Sequence, residues 1–180
     1  TFTEITAGTG TGIHYQWQIS TNAAGPWADI LPLVTSATYD APGPINQDTY
    51  YRRVAIATVN GIDCSADSNY VVVYINEVAP SVIAGNQSVC GAADPVAFTV
   101  STAATGTVTP TYQWQSSTTS ATGPWSNITS ATNTTYDAGP VGQTTYYQVI
   151  ATSTFNGQAC SAISNSVVVT YIALPLTPIV

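Results

Sequence analysis

The tetrapeptide YQWQ occupies residues 15–18 and returns at residues 112–115, a shift of 97 positions. Outward from it, the tripeptide GPW at residues 25–27 returns at residues 123–125. Three more motifs recur in the same order, namely TYD at 38–40 and 135–137, TYY at 49–51 and 145–147, and CSA at 64–66 and 160–162. Because self-similarity at a fixed period reveals the unit of construction, we interpret the chain as two copies of one domain.

The apolar pattern within each copy is typical of β-strands. Apolar residues alternate with polar ones or form short β-branched runs, as at 97–101, 146–152 and 165–171, which predicts strands rather than helices. Asn60-Gly61 and Asn156-Gly157 predict tight hairpins, since both positions of such turns need positive φ. Only 6% of the residues are charged while 44% are hydrophobic, so the composition also favours an all-β fold with a packed core.

The order of the features that recur in both copies indicates an immunoglobulin-like β-sandwich. Each copy has an early Trp, a Tyr pair that opens a later strand and a final Val-rich strand, which is the order found in that fold. We therefore predict Trp17 and Trp114 as core anchors, with Tyr50 and Tyr146 as further anchors. The register of the later strand stays open, because neither alternation of residues 50–53 is cleanly apolar.

The repeat also predicts where the domains begin and end. We expect a first domain at residues 1–76 and a complete second domain at residues 77–173. Phe2 aligns with Phe98, so the first copy is expected to begin inside its second strand and to lack its N-terminal strand. Residues 174–180 resemble the link into a further repeat, or alternatively form a donor strand for a neighbouring molecule. An ordered piece of a longer array is the simpler expectation.

Three cysteines occur in the chain, and the repeat explains the odd number. A counterpart of Cys90 in the first copy would precede Thr1, so Cys64 has its partner outside the chain and each full domain has two cysteines. This usage predicts a disulfide and an oxidising compartment, with Cys90 and Cys160 as the simplest pair. In a standard sandwich those positions lie at opposite ends, beyond the roughly 7 Å limit between Cα atoms. A bridge between successive domains is therefore the alternative.

Charge excludes several classes of partner. The net charge is −7, and Arg52 and Arg53 are the only cations besides the single histidine, so the chain has no basic surface for nucleic acid or anionic lipid. No run approaches the roughly 20 apolar residues that a membrane helix needs. We expect the partners to be neighbouring repeats or like subunits, with surface glycans as a further candidate.

Candidate catalytic and metal-binding residues are few. His14 is the only histidine, so no catalytic triad or zinc site can be assembled in the usual way. Asp40 and Asp137 recur in both copies but lack the spacing of a calcium loop, and we expect them to form Asx turns. The paired carboxylates of a glycosidase are conceivable among Asp29, Asp40, Asp48, Asp63 and Asp67, which are more typical of turns. We expect no catalytic residue, cofactor or metal, and hence no enzyme.

Two further tryptophans are candidates for contact with sugars. Trp27 and Trp125 each follow a Gly-Pro pair and would stack on sugar rings if they were exposed, although a hydrophobic plug against the sheet is the commoner role of such a residue. Asn86, Asn127 and Asn133 each begin an Asn-x-Ser/Thr triplet. These triplets indicate surface exposure.

Taken together, YQWQ, GPW, TYYRRV and the CSA motif before a Val-rich strand resemble the immunoglobulin-like repeats of large surface proteins from Bacteroidetes. The resemblance covers nearly the whole chain. Such repeats occur in gliding-motility adhesins and other proteins exported by the type IX system, where they form stalks, so the resemblance implies an extracellular, cell-surface location. The second copy has Gln148 and Val149 in place of Arg52 and Arg53, so no general role is expected for those arginines.

These observations predict a structural and adhesive repeat module, a stalk or fibre that spaces and displays a binding region. Two alternatives remain at this point. One is a carbohydrate-binding accessory module that uses Trp27 or Trp125, and the other is a filament subunit assembled by strand exchange.

Overall fold

The computed structural model describes residues 2–3 and 12–175, and it divides the chain into two compact units, Thr1–Ile75 and Asn76–Val180. Every regular element in these described residues is a β-strand. The all-β prediction is thus confirmed, and the described part of the chain contains no helix that is long and apolar enough to cross a membrane.

Unit 1, in its described residues, consists of two sheets. β1 pairs with β4, while a second sheet has the order β3-β2-β5-β6, with β7 paired to the beginning of β5. The strands are β1 (Phe2–Thr3), β2 (Ile13–Ser20), β3 (Ala28–Asp29), β4 (Thr38–Tyr39), β5 (Thr49–Val59), β6 (Ile62–Asp67) and β7 (Val71–Val73).

Unit 2 repeats this plan and adds strands to it. A six-stranded sheet has the order β10-β18-β16-β13-β14 with β17 on β16, and it is accompanied by a three-stranded sheet β15-β11-β9 and a small pair β12-β8. The strands are β8 (Val78–Ala79), β9 (Val82–Ala84), β10 (Gln87–Cys90), β11 (Phe98–Thr102), β12 (Thr105–Gly106), β13 (Thr111–Ser117), β14 (Ser126–Asn127), β15 (Thr135–Tyr136), β16 (Thr145–Phe155), β17 (Gln158–Ile163) and β18 (Val167–Ile172).

One long strand organises each unit. In unit 2, β16 pairs antiparallel with β13 on one side, while on the other side its first residues pair with β18 and its last residues with β17. The β16–β17 hairpin turns at Asn156 and Gly157, which have φ values of 48° and 78°. Such a turn has the backbone twist that continues the right-handed twist of the two strands. The β5–β6 hairpin of unit 1 is built in the same way at Asn60 and Gly61, with φ values of 54° and 76°.

The core of unit 2 lies between its two larger sheets. Trp114 on β13 is fully buried, and Phe98 on β11 lies against it, with ring centroids 6.2 Å apart. Tyr147 on β16 approaches Phe98 more closely, at 4.8 Å. The Trp114 indole donates a hydrogen bond to the carbonyl of Asn133 (2.8 Å), so its single polar atom is satisfied.

Unit 1 has a corresponding aromatic core. Trp17 is 4% exposed and donates through Nε1 to the carbonyl of Ser36 (2.9 Å). Phe2 lies 5.0 Å from Tyr51 and 6.4 Å from Trp17, measured between ring centroids. Each unit therefore has its own indole at the centre of its own cluster.

The prediction of Tyr50 and Tyr146 as core anchors needs correction. Both are only half-buried, whereas the next residues, Tyr51 and Tyr147, are 2% and 4% exposed and contact the phenylalanine of the core. Side chains alternate across a strand, so a shift of one residue exchanges the two faces. The TYY motif offered two tyrosines, and the second one faces inward.

Arg53 explains why the pattern of β5 was ambiguous. Its side chain points to the core face and is 3% exposed, with the guanidinium 3.8 Å from the ring centroid of Tyr15. Nη1 donates to the carbonyl of Ala37 (3.2 Å). Burial lowers the pKa of Arg53 below its usual value, because desolvation disfavours the charged form. In unit 2 the aligned position is Val149, which is fully buried.

Candidate functional site

The chain enters unit 2 at the end where the β16–β17 hairpin lies. Asn76 Nδ2 donates to the backbone carbonyls of Ser153 and Gln158, both at 2.8 Å, and Ser153 Oγ donates to Asn76 Oδ1 at 2.9 Å. Ser153 is fully buried. The entering residue is therefore held by three hydrogen bonds at one end of the unit, which we call the entry pole.

The chain leaves unit 2 at the other end. β18 runs parallel to β10, their ladder ends with Cys90 opposite Ile172, and the Gly91 N–H donates to the carbonyl of Ile172 (2.9 Å). Thr145 of β16 pairs with Val169 of β18, and the distance between the two ends can be counted from this pair. Ser153 lies eight residues after Thr145, towards the entry pole, and Ile172 lies three residues after Val169, towards the opposite end, which we call the exit pole. Eleven positions at about 3.3 Å each place this exit pole about 36 Å from the entry pole.

The cysteines occupy both poles. Cys160 lies opposite Ser153 at the entry pole, whereas Cys90 lies opposite Ile172 at the exit pole. The predicted Cys90–Cys160 disulfide is therefore wrong, because about 36 Å separates ladder positions whose Cα atoms would have to lie within about 7 Å. Cys64, Cys90 and Cys160 are all free thiols, and Cys64 lies opposite Ala57, the position in unit 1 that aligns with Ser153.

A cavity opens beside Cys160. Its volume is about 640 Å³, and the half-buried Cys160 forms part of its wall. The other lining residues are Glu77, Val78, Ala79, Thr105, Gly106 and Thr107. The lining is of mixed polarity and Glu77 is its one charged residue, so the cavity is a recess at the entry pole with a thiol on its wall.

A second feature is a group of aromatic and charged side chains on the outer face of the large sheet of unit 1. We call Trp27, Tyr50, Arg52, Asp67 and Tyr70 the aromatic–arginine surface. The guanidinium of Arg52 lies 4.5 Å from the Trp27 ring centroid, and its Nη1 is 2.6 Å from Asp67 Oδ2. Tyr70 lies 6.5 Å from Trp27 and 5.4 Å from Tyr50, between ring centroids. The surface combines π faces with a charged pair that fixes the arginine.

The corresponding surface of unit 2 is uncharged. Trp125 is half-buried like Trp27, but Gln148 replaces Arg52 and donates to Gln115 Oε1 (2.7 Å). Gln115 in turn donates to Asn127 Oδ1 (2.8 Å). The sequence identified the two tryptophans, and the structure adds that only the first stands beside a cation.

Four of the five acidic residues considered for catalysis each accept a hydrogen bond within the fold. Asp29 accepts from Gln18, Asp48 from the backbone N–H of Ile75, Asp63 from Thr58 and Asp67 from Arg52. In unit 2, Asp137 Oδ1 accepts from the Gly139 N–H (3.2 Å), which is the geometry of an Asx turn. Among the described residues, no three His, Cys, Asp or Glu side chains are grouped to hold a metal.

The remaining candidates lie at the surface. His14 is exposed on β2. Asn86, Asn127 and Asn133 are exposed, and Asn86 Oδ1 accepts from the Val168 N–H (3.0 Å). None of these four lies beside the cavity at the entry pole, whose lining is given above.

Burial raises the pKa of the core tyrosines. The pKa of Tyr147 rises to about 12, first because of desolvation and then because of the neighbouring Tyr136, while a hydrogen bond with Thr145 acts in the opposite direction. Desolvation also raises the pKa of Tyr51 in unit 1. Each unit therefore holds a tyrosine that keeps its proton well into alkaline conditions.

The sequence did not indicate a structural role for Asn76, although Asn76 fixes the chain at the entry pole. At a shift of 97, the position after Tyr171-Ile172 that corresponds to Asn76 is Ala173. The asparagine therefore does not recur, and only the three hydrogen bonds reveal it.

The fold and these two poles define a class, that of small all-β domains in which the chain enters at one end and leaves at the other. The chain belongs to the family DUF8696, a domain of unknown function, whose model matches residues 1–77 and again residues 79–173. No curated protein matches the chain.

Proposed function

We propose that this chain is part of an extracellular stalk, in which immunoglobulin-like repeats follow one another and act as spacers that display a binding region. The observation that carries the proposal is the separation of the two poles of unit 2 by about 36 Å along its strands. A domain whose ends lie at opposite poles adds its own length to an array, whereas one with adjacent ends does not.

The short connection between the units supports the same proposal. Ile75 is bound to Asp48 in unit 1, and the next residue, Asn76, is bound to Ser153 in unit 2. The two anchored residues are consecutive in the sequence, so each unit fixes its own side of the connection. The double match to a single family model agrees with a tandem array.

The strand order supports an immunoglobulin-like assignment. In unit 2 a sheet of order β10-β18-β16-β13-β14 faces the sheet β15-β11-β9, and the buried Trp114 lies on β13. In the immunoglobulin fold a buried Trp likewise lies on strand C, beside strands F and G. We therefore equate β13, β16 and β18 with strands C, F and G.

The parallel pair β10–β18 gives the stalk a way to carry tension. β10 belongs to the entering part of unit 2 and β18 leads to the exit pole, so tension between the poles pulls the two strands along their lengths in opposite directions. Their ladder has four paired positions. Evenly spaced hydrogen bonds of a parallel pair share such a load.

The proposed location is the cell surface, and the proposed role is not enzymatic. The resemblance to surface repeats supports the location. The structural hydrogen bonds of Asp29, Asp48, Asp63 and Asp67 support a role without catalysis, because each carboxylate has a partner within the fold.

Small-angle X-ray scattering tests the spacer role. Two units placed end to end should give a maximum dimension of about 80 Å, from about 36 Å per unit plus its loops. A single globule of this length would have a radius of gyration of about 16 Å and a diameter near 40 Å. A maximum dimension close to the globular value would refute the proposal.

The aromatic–arginine surface favours a second candidate function, the binding of glycans. Aromatic faces stack on sugar rings, and the carboxylate and guanidinium beside Trp27 offer hydrogen bonds to hydroxyls. Binding on a glycan array should disappear in Trp27→Ala and persist in Trp125→Ala, since the latter lacks the neighbouring cation. Equal binding by both variants would reject this surface as the site.

The third candidate, a filament closed by strand exchange, would use residues 174–180 as the donor strand. Only Leu174 and Pro175 of this segment belong to the described residues. Leu174 lies close to Gly91 of its own unit, since a Cβ on that glycine would come within 3.1 Å of Leu174 Cδ1. Sedimentation velocity separates the candidates, because strand exchange predicts oligomers that disappear when residues 174–180 are removed.

A further inference from the structure

The two cysteines of unit 2 are placed at the two poles where an array would continue. Cys160 is opposite Ser153, which binds the entering Asn76, and Cys90 is opposite Ile172, where the chain leaves. Cys64 holds in unit 1 the position that Cys160 holds in unit 2, opposite Ala57 on the long strand. Unit 2 therefore has one thiol at each pole, and unit 1 has the thiol that corresponds to the entry pole.

Distance excludes a bond within one repeat but favours one between successive repeats. The exit and entry thiols of unit 2 are about 36 Å apart along the strands. At a junction between repeats the distance is expected to be short. Cys90 is paired with Ile172, the last residue of β18, and the next repeat would begin within a few residues of Ile172. The exit thiol of one repeat and the entry thiol of the following repeat are then close to the same stretch of backbone.

The cavity beside Cys160 supplies an independent reason. It is a recess of about 640 Å³ with the thiol on its wall, and Glu77, Val78 and Ala79 at the start of unit 2 form another part of that wall. Cys90, by contrast, is exposed on the end of β10 and is followed by Gly91 with φ of 60°. The exit thiol is thus exposed, and the entry thiol is half-buried in the wall of a recess.

We propose that the thiol at the Cys90 position of each repeat forms a disulfide with the thiol at the Cys160 position of the next repeat along the chain. This inference rests on the proposed array and adds a covalent bond at every junction. The bond would limit bending between neighbouring repeats, because it gives each junction a second connection besides the backbone.

The oxidation needs an acceptor for two electrons. Two thiols lose two protons and two electrons when the sulfur–sulfur bond forms, and the disulfide of a dithiol–disulfide oxidoreductase, or glutathione disulfide in vitro, is reduced to two thiols. Exchange proceeds through a mixed disulfide, which the exposed Cys90 can form first and the recessed thiol then resolves.

The test uses the full chain through Ala173 followed by a second copy of residues 77–173. In the cross-repeat variant, the only remaining thiols are Cys90 of the middle repeat and Cys160 of the added copy. In the matched control, the only remaining thiols are Cys90 and Cys160 of the same middle repeat. All other cysteines are changed to serine. Both variants are incubated with reduced glutathione and glutathione disulfide, and free thiols and peptide masses are then measured.

The cross-repeat variant should lose both thiols in an intramolecular bond, while the control keeps both. A control that forms the bond as completely, or a cross-repeat variant that keeps its thiols, overturns the proposal. Scattering on the reduced protein is measured in parallel. An extended protein without the bond refutes the disulfide and leaves the spacer role intact, whereas a compact protein refutes the spacer role whether or not the bond forms.

The unaltered chain gives a second check. It contains two entry thiols, Cys64 and Cys160, and one exit thiol, Cys90, which belongs to the same repeat as Cys160. At low protein concentration in the same glutathione mixture, no disulfide within the molecule should form between Cys90 and Cys160. Its appearance in peptide maps would overturn the proposal.

Discussion

Replacing Trp114 by alanine should remove most of the stability of unit 2 and leave unit 1 folded. The indole is fully buried between Phe98 and Tyr136, with ring centroids 6.2 and 5.6 Å away. An indole buries about 200 Å², which at about 25 cal/mol per Å² corresponds to about 5 kcal/mol, of which alanine keeps about 1. The lost hydrogen bond to Asn133 adds about 1 kcal/mol.

The expected loss is thus about 4 to 5 kcal/mol, which agrees with the range measured for buried tryptophans. A domain of this size has only about 5 to 15 kcal/mol in total. Trp125→Ala is the matched control, because that indole is only half-buried and its removal should cost clearly less. Trp114→Phe keeps most of the apolar area and should lose about 1 to 2 kcal/mol, chiefly from the hydrogen bond.

Hydrogen exchange followed by mass spectrometry reports both units in one experiment. In Trp114→Ala, peptides from β13 and β16 should exchange quickly, while those from β2 and β5 keep the protection they have in the unaltered protein. Trp17→Ala should produce the reverse. Loss of protection in both units after either substitution would refute the reasoning, since it would show one cooperative core.

Three further predictions concern the poles, the core tyrosine and a turn. Asn76→Ala removes the three hydrogen bonds with Ser153 and Gln158 and should cost unit 2 about 1 to 3 kcal/mol in chemical denaturation; an unchanged midpoint would contradict the role of Asn76. The pKa of Tyr147 is raised from 10.0 to about 12, so its contribution to stability is complete below pH 10 and is lost as the pH rises towards 12; Tyr147→Phe should weaken this alkaline loss, and an identical pH profile would contradict it. Gly123→Ala places a Cβ 2.7 Å from Trp125 Cδ1 at φ of +94° and should destabilise unit 2 by more than about 1 kcal/mol, whereas Gly142→Ala, with open space around it, should have little effect in the same thermal melts.

The sequence predicted those parts of the fold that depend on repetition and local pattern. Trp17 and Trp114 stand in identical tetrapeptides, and alternation with Asn-Gly turns was enough to predict strands and hairpins. The pattern of residues 50–53 leaves the register of β5 open, because Arg52 and Arg53 make neither alternation cleanly apolar. Arg53 is accommodated on the core face of β5 by stacking on Tyr15 of β2, a contact between distant residues that no local pattern contains.

The candidate site was less predictable for the same reason. The count of cysteines does not reveal that Cys90 and Cys160 lie eleven ladder positions apart, because this depends on which strands pair and in which register. Trp27 and Trp125 have the same local motif, and only the pairing of β2 with β5 brings Arg52 beside Gln18 and Trp27. Such neighbours arise from tertiary structure alone.

Pulling a single molecule by its two ends tests the central claim most directly, namely that each repeat folds around its own core and resists tension between its poles. Two separate ruptures are predicted. The one for unit 2 should release about 310 Å of chain, which is about 97 residues at about 3.6 Å each less the roughly 36 Å already spanned when folded. A single rupture that releases the whole chain at once would contradict the account.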